Sequence, residues 1–283
     1  MPASLQAILL GIVQGLTEFL PVSSSGHLIL ARAFFGYDSD RFGLPFDVAV
    51  HLGTALAIVA FFREDIARML GAVPRALSRG PLAKSSEPDG ASDRGARMIW
   101  LLLVGTLPVV LVGLLFEDLI EEHLRTPVVV AVTLTLGAIG FLVAERVGAQ
   151  ERSDASLTLA EALLLGAGQS LALVPGVSRS GITITVALLI GLRRVEAARF
   201  IFLLGVPAII GAAVKELPAL AGEGGGEAAS LMLIGIGSSA VVGYLAIRFF
   251  VGYMARHSLD VFAWYRLALA ATVIVWLFAG GGA

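Results

Sequence analysis

Two polar breaks decide the fold: Pro21-Val22-Ser23-Ser24-Ser25-Gly26 and Pro175-Gly176-Val177-Ser178-Arg179-Ser180-Gly181. Each break interrupts a long apolar stretch, over residues 4–35 and 159–192. A membrane-spanning helix needs about 20 residues, so each stretch is too long for one span, and its halves of about 15 residues are too short for two. The pattern predicts that each stretch is a re-entrant hairpin, in which two half-helices meet at a polar turn inside the membrane. Irregular backbone is tolerated at that depth only where protein buries it or where it lines a wet cavity.

The composition is that of a polytopic membrane protein. Of the 283 residues 57% are hydrophobic and 15% are charged, whereas soluble domains have about 25% charged residues. The absence of cysteine excludes disulfides and zinc–thiolate sites, and a net charge of −2 offers no basic surface for nucleic acid. The N-terminus lacks the basic region of a cleavable signal peptide, so we expect none. Six further apolar segments predict single spans: 46–62, 98–116, 127–144, 200–214, 230–247 and 261–279.

Lysine and arginine are distributed unevenly between the connecting segments. Fourteen of the twenty fall in segments 63–97, 145–158, 193–199 and 248–258. The segments on the opposite side hold only Arg32, Arg41, Arg125 and Lys215. Lysine and arginine favour the cytoplasmic side of a membrane. These fourteen residues all lie on that side only if each hairpin enters and leaves the membrane on the same face. The distribution therefore predicts both termini outside, with the first hairpin opening to the outside and the second to the cytoplasm.

The two breaks belong to an internal repeat. Aligned without gaps, Gln14–Gly26 and Gln169–Gly181 share Gln, Leu, Val, Ser, Ser and Gly. The chain then divides into two halves of one membrane domain, about 1–144 and 145–283, and each half is a hairpin followed by three spans. Because three is an odd number of spans, the two halves have opposite orientations in the membrane. We predict an all-α polytopic membrane protein with six transmembrane helices plus two re-entrant helical hairpins in an inverted-topology repeat. Chance similarity between apolar segments is the alternative.

Few ionisable side chains fall within the apolar segments, and Glu18, His27 and Arg179 lie at the breaks. Such a group costs about 2.5–3.5 kcal/mol at mid-bilayer and marks a candidate functional site. Two half-helix N-termini, serine hydroxyls and an arginine favour an anion site, most naturally for phosphate, while Glu18 and His27 add acid–base groups or a metal ligand. The structural alternatives are close packing of small residues, a buried Glu18–Arg179 bridge and a core histidine. Asp47 and Arg266 are expected to be structural, pairing within the bundle.

The two breaks carry longer motifs, Gln14-x-x-x-Glu18 with Pro21-Val-Ser-Ser-Ser-Gly-His27, and Pro175-Gly-Val-Ser-Arg-Ser-Gly-Ile-Thr183. These motifs resemble those of the undecaprenyl-diphosphate phosphatase family of the bacitracin-resistance type. The family patterns (E/Q)xxxE with PVSSxGH, and PGxSRSxxT, are complete here, and the resemblance covers essentially the whole chain. Gln14 stands at a position where the family also uses Glu, which removes one possible negative metal ligand. The charged 63–97 loop looks like an ordinary variable insert.

The resemblance implies a membrane phosphatase that converts undecaprenyl diphosphate into undecaprenyl phosphate and inorganic phosphate, recycling the lipid carrier of bacterial cell-wall synthesis. It implies the bacterial plasma (inner) membrane, a site facing the periplasm and a divalent cation, Mg²⁺ or Ca²⁺; a homodimer is possible. The expected catalytic residues are Glu18, His27, Ser24 and Arg179. The expected substrate-binding residues are Gln14, Ser23, Ser25, Ser178, Ser180 and Thr183. The expected metal ligands are Glu18 and Gln14.

Two points stay open at this level. Either Ser24 or a water attacks the terminal phosphorus, with His27 as general base for the nucleophile or general acid for the leaving group. Inverted repeats with broken helices are also typical of transporters, so a polyprenyl-phosphate flippase using the same anion site is the alternative function. An intramembrane serine protease is a weaker one, because it has no use for Arg179 and a second serine cluster.

Overall fold

The computed structural model describes residues 1–38, 41–81, 91–222 and 226–280, and these ranges form a bundle of α-helices. In chain order the helices are α1 (Ala3–Phe19), α2 (Ser24–Phe35), α3 (Leu44–Phe61), α4 (Arg63–Arg79), α5 (Ala91–His123), α6 (Pro127–Val147), α7 (Leu159–Ser170), α8 (Arg179–Leu189), α9 (Arg194–Gly222), α10 (Glu227–Met254) and α11 (Asp260–Phe278). Short 3-10 turns lie at Asp154–Ser156 and Leu171–Leu173.

Among the described residues, five helices are long and apolar enough to cross a membrane: α3, Ser92–Phe116 of α5, α6, α10 and α11. They match five of the six predicted single spans and confirm an all-α polytopic membrane protein. The sixth predicted span, 200–214, is part of α9, and its side chains from residue 212 onward lie outside the described ones. That span therefore stays a prediction.

The two predicted breaks both separate a pair of short helices. α1 ends at Phe19 and α2 starts at Ser24, while α7 ends at Ser170 and α8 starts at Arg179. The helices of each pair pack against each other. α2 and α8 have 12 and 11 residues, about 17 Å of helix, which is well short of a hydrocarbon core of about 30 Å. Their length agrees with half-helices, and their depth in a bilayer stays a prediction.

The two predicted halves of the chain pack into each other. α1 and α3 pack against α10 of the second half, and α7 and α9 pack against α5 of the first, while α6 lies beside α11. The crossing of α5 and α7 is close because glycines meet there: a Cβ on Gly166 would lie 2.0 Å from the carbonyl oxygen of Gly105. Small residues allow such approaches between membrane helices. Each pair of short helices is therefore held by a long helix from the other half.

The charged segment 63–97, which the sequence analysis treats as a loop and a variable insert, is mostly helical where the structure describes it. Residues 63–79 form α4, and α5 already begins at Ala91 rather than near 98. α4 is helical because its apolar residues recur at helical spacing, and it packs Ala72 and Ala76 against Ala96 of α5. Lys84, counted among the cytoplasmic charges, lies outside the described residues.

Ion pairs tie α4 to the neighbouring helices. Asp65 of α4 pairs with Arg199 of α9, and Arg199 lies 3.8 Å from Asp154 in the 145–158 connection. Burial, followed by the negative charge of Glu196, raises the pKa of Asp154 above its ordinary value. Its Oδ2 has no hydrogen-bond partner in the described part of the chain. Ionisation of Asp154 therefore opposes folding.

Candidate active site

Glu18 lies near the end of α1, where the first break begins. Gln14 is one helical turn earlier on the same face, and its Nε2 donates a hydrogen bond of 2.9 Å to Oε2 of Glu18. Both side chains are buried. Oε1 of Gln14 is buried too and has no hydrogen-bond partner among the described residues. The (i, i+4) spacing of this pair thus presents one carboxylate and one unused amide oxygen at the break.

Ser24 opens α2 directly across the break from Glu18. Its Oγ donates a hydrogen bond of 2.6 Å to Oε2 of Glu18. Ser23, just before it, caps the helix, because its Oγ accepts a bond from the backbone N–H of Gly26 at 3.4 Å. The hydroxyls of Ser23 and Ser25 lie 3.4 Å apart. Ser24 is therefore the serine of this break that contacts the carboxylate.

The second break brings a cation to the same carboxylate. Arg179 opens α8, and its guanidinium forms an ion pair with Oε1 of Glu18, so the two oxygens of this carboxylate face different partners. The Glu18 side chain is 4% exposed and that of Arg179 is 23% exposed. Residues 161 positions apart in sequence are therefore in contact, through the buried Glu18–Arg179 bridge that the sequence analysis gave as a structural alternative.

The capping geometry of the second break repeats that of the first. Ser178 accepts a bond from the N–H of Gly181 at 3.1 Å, as Ser23 does from Gly26. The φ angles of Ser178 and Ser23 are 73° and 75°, a region that side chains rarely occupy. Backbone held in such a conformation typically lies at functional sites. The shared geometry is the structural counterpart of the repeated sequence.

The hydroxyls of Ser180 and Thr183 have different partners. Ser180 lies 3.3 Å from the Ser178 hydroxyl and 3.5 Å from the carbonyl oxygen of Glu18, to which it donates. Thr183 donates to the carbonyl of Arg179, one turn earlier in its own helix. Ser180 therefore lies against the first break, whereas Thr183 faces back along α8.

His27 lies one turn into α2, and both of its ring nitrogens have partners. Nδ1 lies 2.7 Å from the carbonyl oxygen of Ser23, and Nε2 lies 2.7 Å from the hydroxyl of Tyr265 in α11. The two rings are stacked. No hydrogen bond joins His27 to Ser24 in the described part of the chain. The structure therefore places His27 beside Tyr265 rather than on the Glu18 carboxylate.

A different histidine approaches Glu18. His51 of α3 has its Nε2 3.5 Å from Oε2 of Glu18, and its Nδ1 lies 2.7 Å from the carbonyl oxygen of Asp47. Its side chain is 34% exposed. Sequence reasoning gave His51 no role, because nothing in α3 points to the first break. Tyr265 was missed for the same reason.

The two ionisable residues expected to be structural behave differently. Asp47 forms ion pairs with Arg32 and Arg125, as pairing within the bundle implies. Arg266 forms no ion pair with a described residue. It donates hydrogen bonds to backbone carbonyls instead, among them that of Val177, because the backbone at the breaks leaves carbonyl groups free of helical bonds.

A divalent cation fits part of this donor set. Mg²⁺ and Ca²⁺ prefer oxygen ligands, and the unpartnered Oε1 of Gln14 lies beside the carboxylate of Glu18. No group of three or more His, Cys, Asp or Glu suited to a metal occurs within the described residues. Such a cation would therefore take two ligands from this chain and complete its shell with water and substrate oxygens, as Mg²⁺ commonly does.

We call the meeting point of Glu18, Ser24 and Arg179 the junction of the two breaks, and the space there is small. The cavity between Glu18, Arg179 and Ser180 has a volume of about 10 Å³, room for about one water. A phosphate group does not fit this cavity while the ion pair between Glu18 and Arg179 is closed. Once the pair is open, Arg179 would exchange a carboxylate for phosphate oxygens, the other acceptor that its planar guanidinium fits well.

Comparison with known proteins gives a consistent result. The sequence model of bacitracin resistance protein BacA matches residues 7–272. A protein of Rubrobacter xylanophilus named undecaprenyl-diphosphatase is 55% identical over 270 residues, which cover 95% of this chain and 96% of that protein. A protein of the same name from Moorella thermoacetica is 43% identical, and the match covers 96% of this chain and 98% of that protein. Another from Desulforudis audaxviator is 42% identical, and the match covers 95% of this chain and 96% of that protein.

Proposed function

The chain belongs to the bacitracin resistance protein BacA family, and from this membership and the site at the two breaks we infer that it is an undecaprenyl-diphosphatase. It hydrolyses undecaprenyl diphosphate, giving undecaprenyl phosphate and inorganic phosphate, and so returns the lipid carrier to use. One observation supports placing the reaction at this site. The carboxylate of Glu18 is bonded to Ser24 of the first break and to Arg179 of the second.

Ser24 is the proposed nucleophile. Its Oγ attacks the terminal phosphorus, and its proton passes to Glu18, to which it is already hydrogen-bonded at 2.6 Å. The bond between that phosphorus and the bridging oxygen breaks, and undecaprenyl phosphate leaves with the electron pair. Water then hydrolyses the phosphoserine and releases phosphate. A serine beside a general base is the usual arrangement for an activated hydroxyl nucleophile.

The second break stabilises the transferred group. Arg179, released from Glu18, binds the phosphate oxygens. The first residues of α2 and α8, Ser24 and Arg179, both contact Glu18, and a helix N-terminus favours an anion. Ser178 and Ser180, with Ser23 and Ser25 on the first break, are the proposed hydroxyl contacts. Donors fixed before the reaction lower the energy of the developing charge.

The metal and the remaining residues complete the proposal. Gln14 and Glu18 would hold Mg²⁺ or Ca²⁺, which when bound neutralises phosphate charge. Thr183 is proposed to support Arg179 through its bond to that residue's carbonyl. His27, bonded to Tyr265, is the proposed proton donor to the leaving phosphate.

The proposed location is the bacterial inner membrane, with the site facing the periplasm and both termini outside. The support is the excess of lysine and arginine in the segments assigned to the cytoplasm. The Glu18–Ser24 contact lies on the hairpin that this orientation opens outward.

Phosphate release by purified protein in detergent tests the function. With undecaprenyl diphosphate and Mg²⁺, wild type should release phosphate, and Arg179→Lys should lose at least about a hundredfold in rate because a lysine cannot bind two oxygens in parallel. Arg63→Lys is the matched control, since Arg63 is exposed on α4. A flippase would move lipid across vesicle membranes without releasing phosphate, and that result would exclude the phosphatase.

A further inference from the structure

One buried arginine joins the two breaks. Arg266 lies in α11 and is fully buried. Its guanidinium donates to the carbonyl of Pro21 in the first break at 3.3 Å, and to those of Gly176 and Val177 in the second at 3.0 and 3.1 Å. Its other bonds reach α6, at the carbonyls of Thr133 and Leu134. Three separate segments thus converge on one side chain.

The surroundings of Arg266 suit a geometric role. Within the described residues no carboxylate pairs with it, and its charge is met by carbonyl dipoles and by the ring of Phe141, whose centre is 5.1 Å from Cζ. A buried charge requires such hydrogen bonds. Because the guanidinium is planar and its donors point in fixed directions, it fixes the spacing of the carbonyls that it binds.

We propose that Arg266 is a positioning residue. It fixes the position of one break relative to the other, so that Ser24 and Glu18 lie beside Arg179. Pro21 is three residues from both Glu18 and Ser24, and Val177 is two residues from Arg179, so a shift at either carbonyl moves a reacting group. The inference rests on the proposed phosphatase function for its kinetic consequence, but the joining of the breaks does not depend on it.

Glycine leaves room for this guanidinium. A Cβ on Gly137 of α6 would lie 2.1 Å from Nη2 of Arg266, a distance that no real contact allows. Gly137→Ala would therefore displace the guanidinium without removing its charge. Gly140 lies one turn further along α6, and its Cβ would meet only Thr185 at an ordinary 3.5 Å. Gly140→Ala is thus a matched control in the same helix.

The kinetic arm compares four variants in detergent with undecaprenyl diphosphate. Arg266→Gln and Gly137→Ala should lower kcat by about a hundredfold, the usual consequence of misplacing reacting groups by about 1 Å, with KM changed by less than about threefold. Arg266→Lys should rescue little, because a single ammonium cannot bridge both breaks. Gly140→Ala should keep wild-type kcat.

The second arm measures backbone hydrogen exchange and needs no activity. In Gly137→Ala, exchange should rise in peptides covering residues 20–26 and 174–181 together, while α3 and α10 keep wild-type exchange. Exchange that rises in one break only, or equally in all helices, would overturn the proposal, as would Gly137→Ala with kcat within twofold of wild type. A wild-type protein that releases no phosphate would instead refute the proposed function and leave the exchange result standing.

Discussion

Glu18→Gln removes the charge at the junction while keeping the shape of the side chain. In the native site the carboxylate accepts bonds from Gln14, Ser24 and Arg179. An amide has one acceptor oxygen in place of two and no charge, so it cannot replace the carboxylate as the ion-pair partner of Arg179. Removing one partner of a buried ion pair costs about 3–5 kcal/mol. Because Arg179 is 23% exposed and can be hydrated, we expect the lower end, about 3 kcal/mol.

We expect Glu18→Gln to reduce the rate of turnover more than it reduces stability. Glu18 is the proposed acceptor of the Ser24 proton, and losing a general base typically costs 10²- to 10⁴-fold. We expect phosphate release to fall by about 10³-fold, equivalent to about 4 kcal/mol in activation free energy. The assay is initial-rate phosphate release from undecaprenyl diphosphate in detergent, with thermal unfolding measured on the same preparation. Glu64→Gln, which changes an exposed carboxylate of α4, is the control. Turnover of Glu18→Gln within tenfold of wild type would refute the reasoning.

Three further predictions test the packing, the titration and the topology. Gly166→Ala should destabilise by about 1–3 kcal/mol, since its Cβ would lie 2.0 Å from a backbone carbonyl oxygen of α5; unchanged thermal unfolding, with Gly237→Ala as the control that meets no neighbour, would contradict this. A raised pKa means that the Asp154 carboxylate binds its proton more tightly in the folded state than in the unfolded state. Stability is therefore lost as the pH rises above 3.8, the ordinary pKa of this carboxyl group. Asp154→Asn should therefore melt higher than wild type at pH 7, with the difference shrinking toward pH 4; a lower melting temperature at pH 7 would refute the argument. Because the chain has no cysteine, a membrane-impermeant maleimide on intact cells should label Arg41→Cys but not Ser78→Cys, and the reverse pattern would invert the orientation.

Local features of the breaks could be predicted from the sequence because they depend on neighbouring residues. Proline ends a helix, and a serine caps the next one, so the helix starts at Ser24 and Arg179 follow from the motifs alone. The pairing of Glu18 with Arg179 was foreseen as an alternative, since the repeat suggests that the breaks meet. The functional roles of these residues stay predictions.

Contacts between distant helices could not be predicted in the same way. His51 reaches Glu18 only because α3 packs beside α1, and hydrophobic periodicity says nothing about which helices become neighbours. The partners of Arg266 are backbone carbonyls, which no residue type reveals. α4 was missed because a charge-rich segment with Gly71 and Pro74 reads as a loop, although its apolar side chains are spaced for a helix.

The most direct test of the central claim is acid quenching of a single turnover with excess enzyme and undecaprenyl diphosphate, followed by mass spectrometry of the peptide containing Ser24. Nucleophilic attack by Ser24 predicts a phosphoserine at that residue, formed before phosphate is released, and loss of turnover in Ser24→Ala. Turnover of Ser24→Ala within tenfold of wild type, with no phosphoserine in the quenched wild-type enzyme, would contradict the account and assign the attack to water.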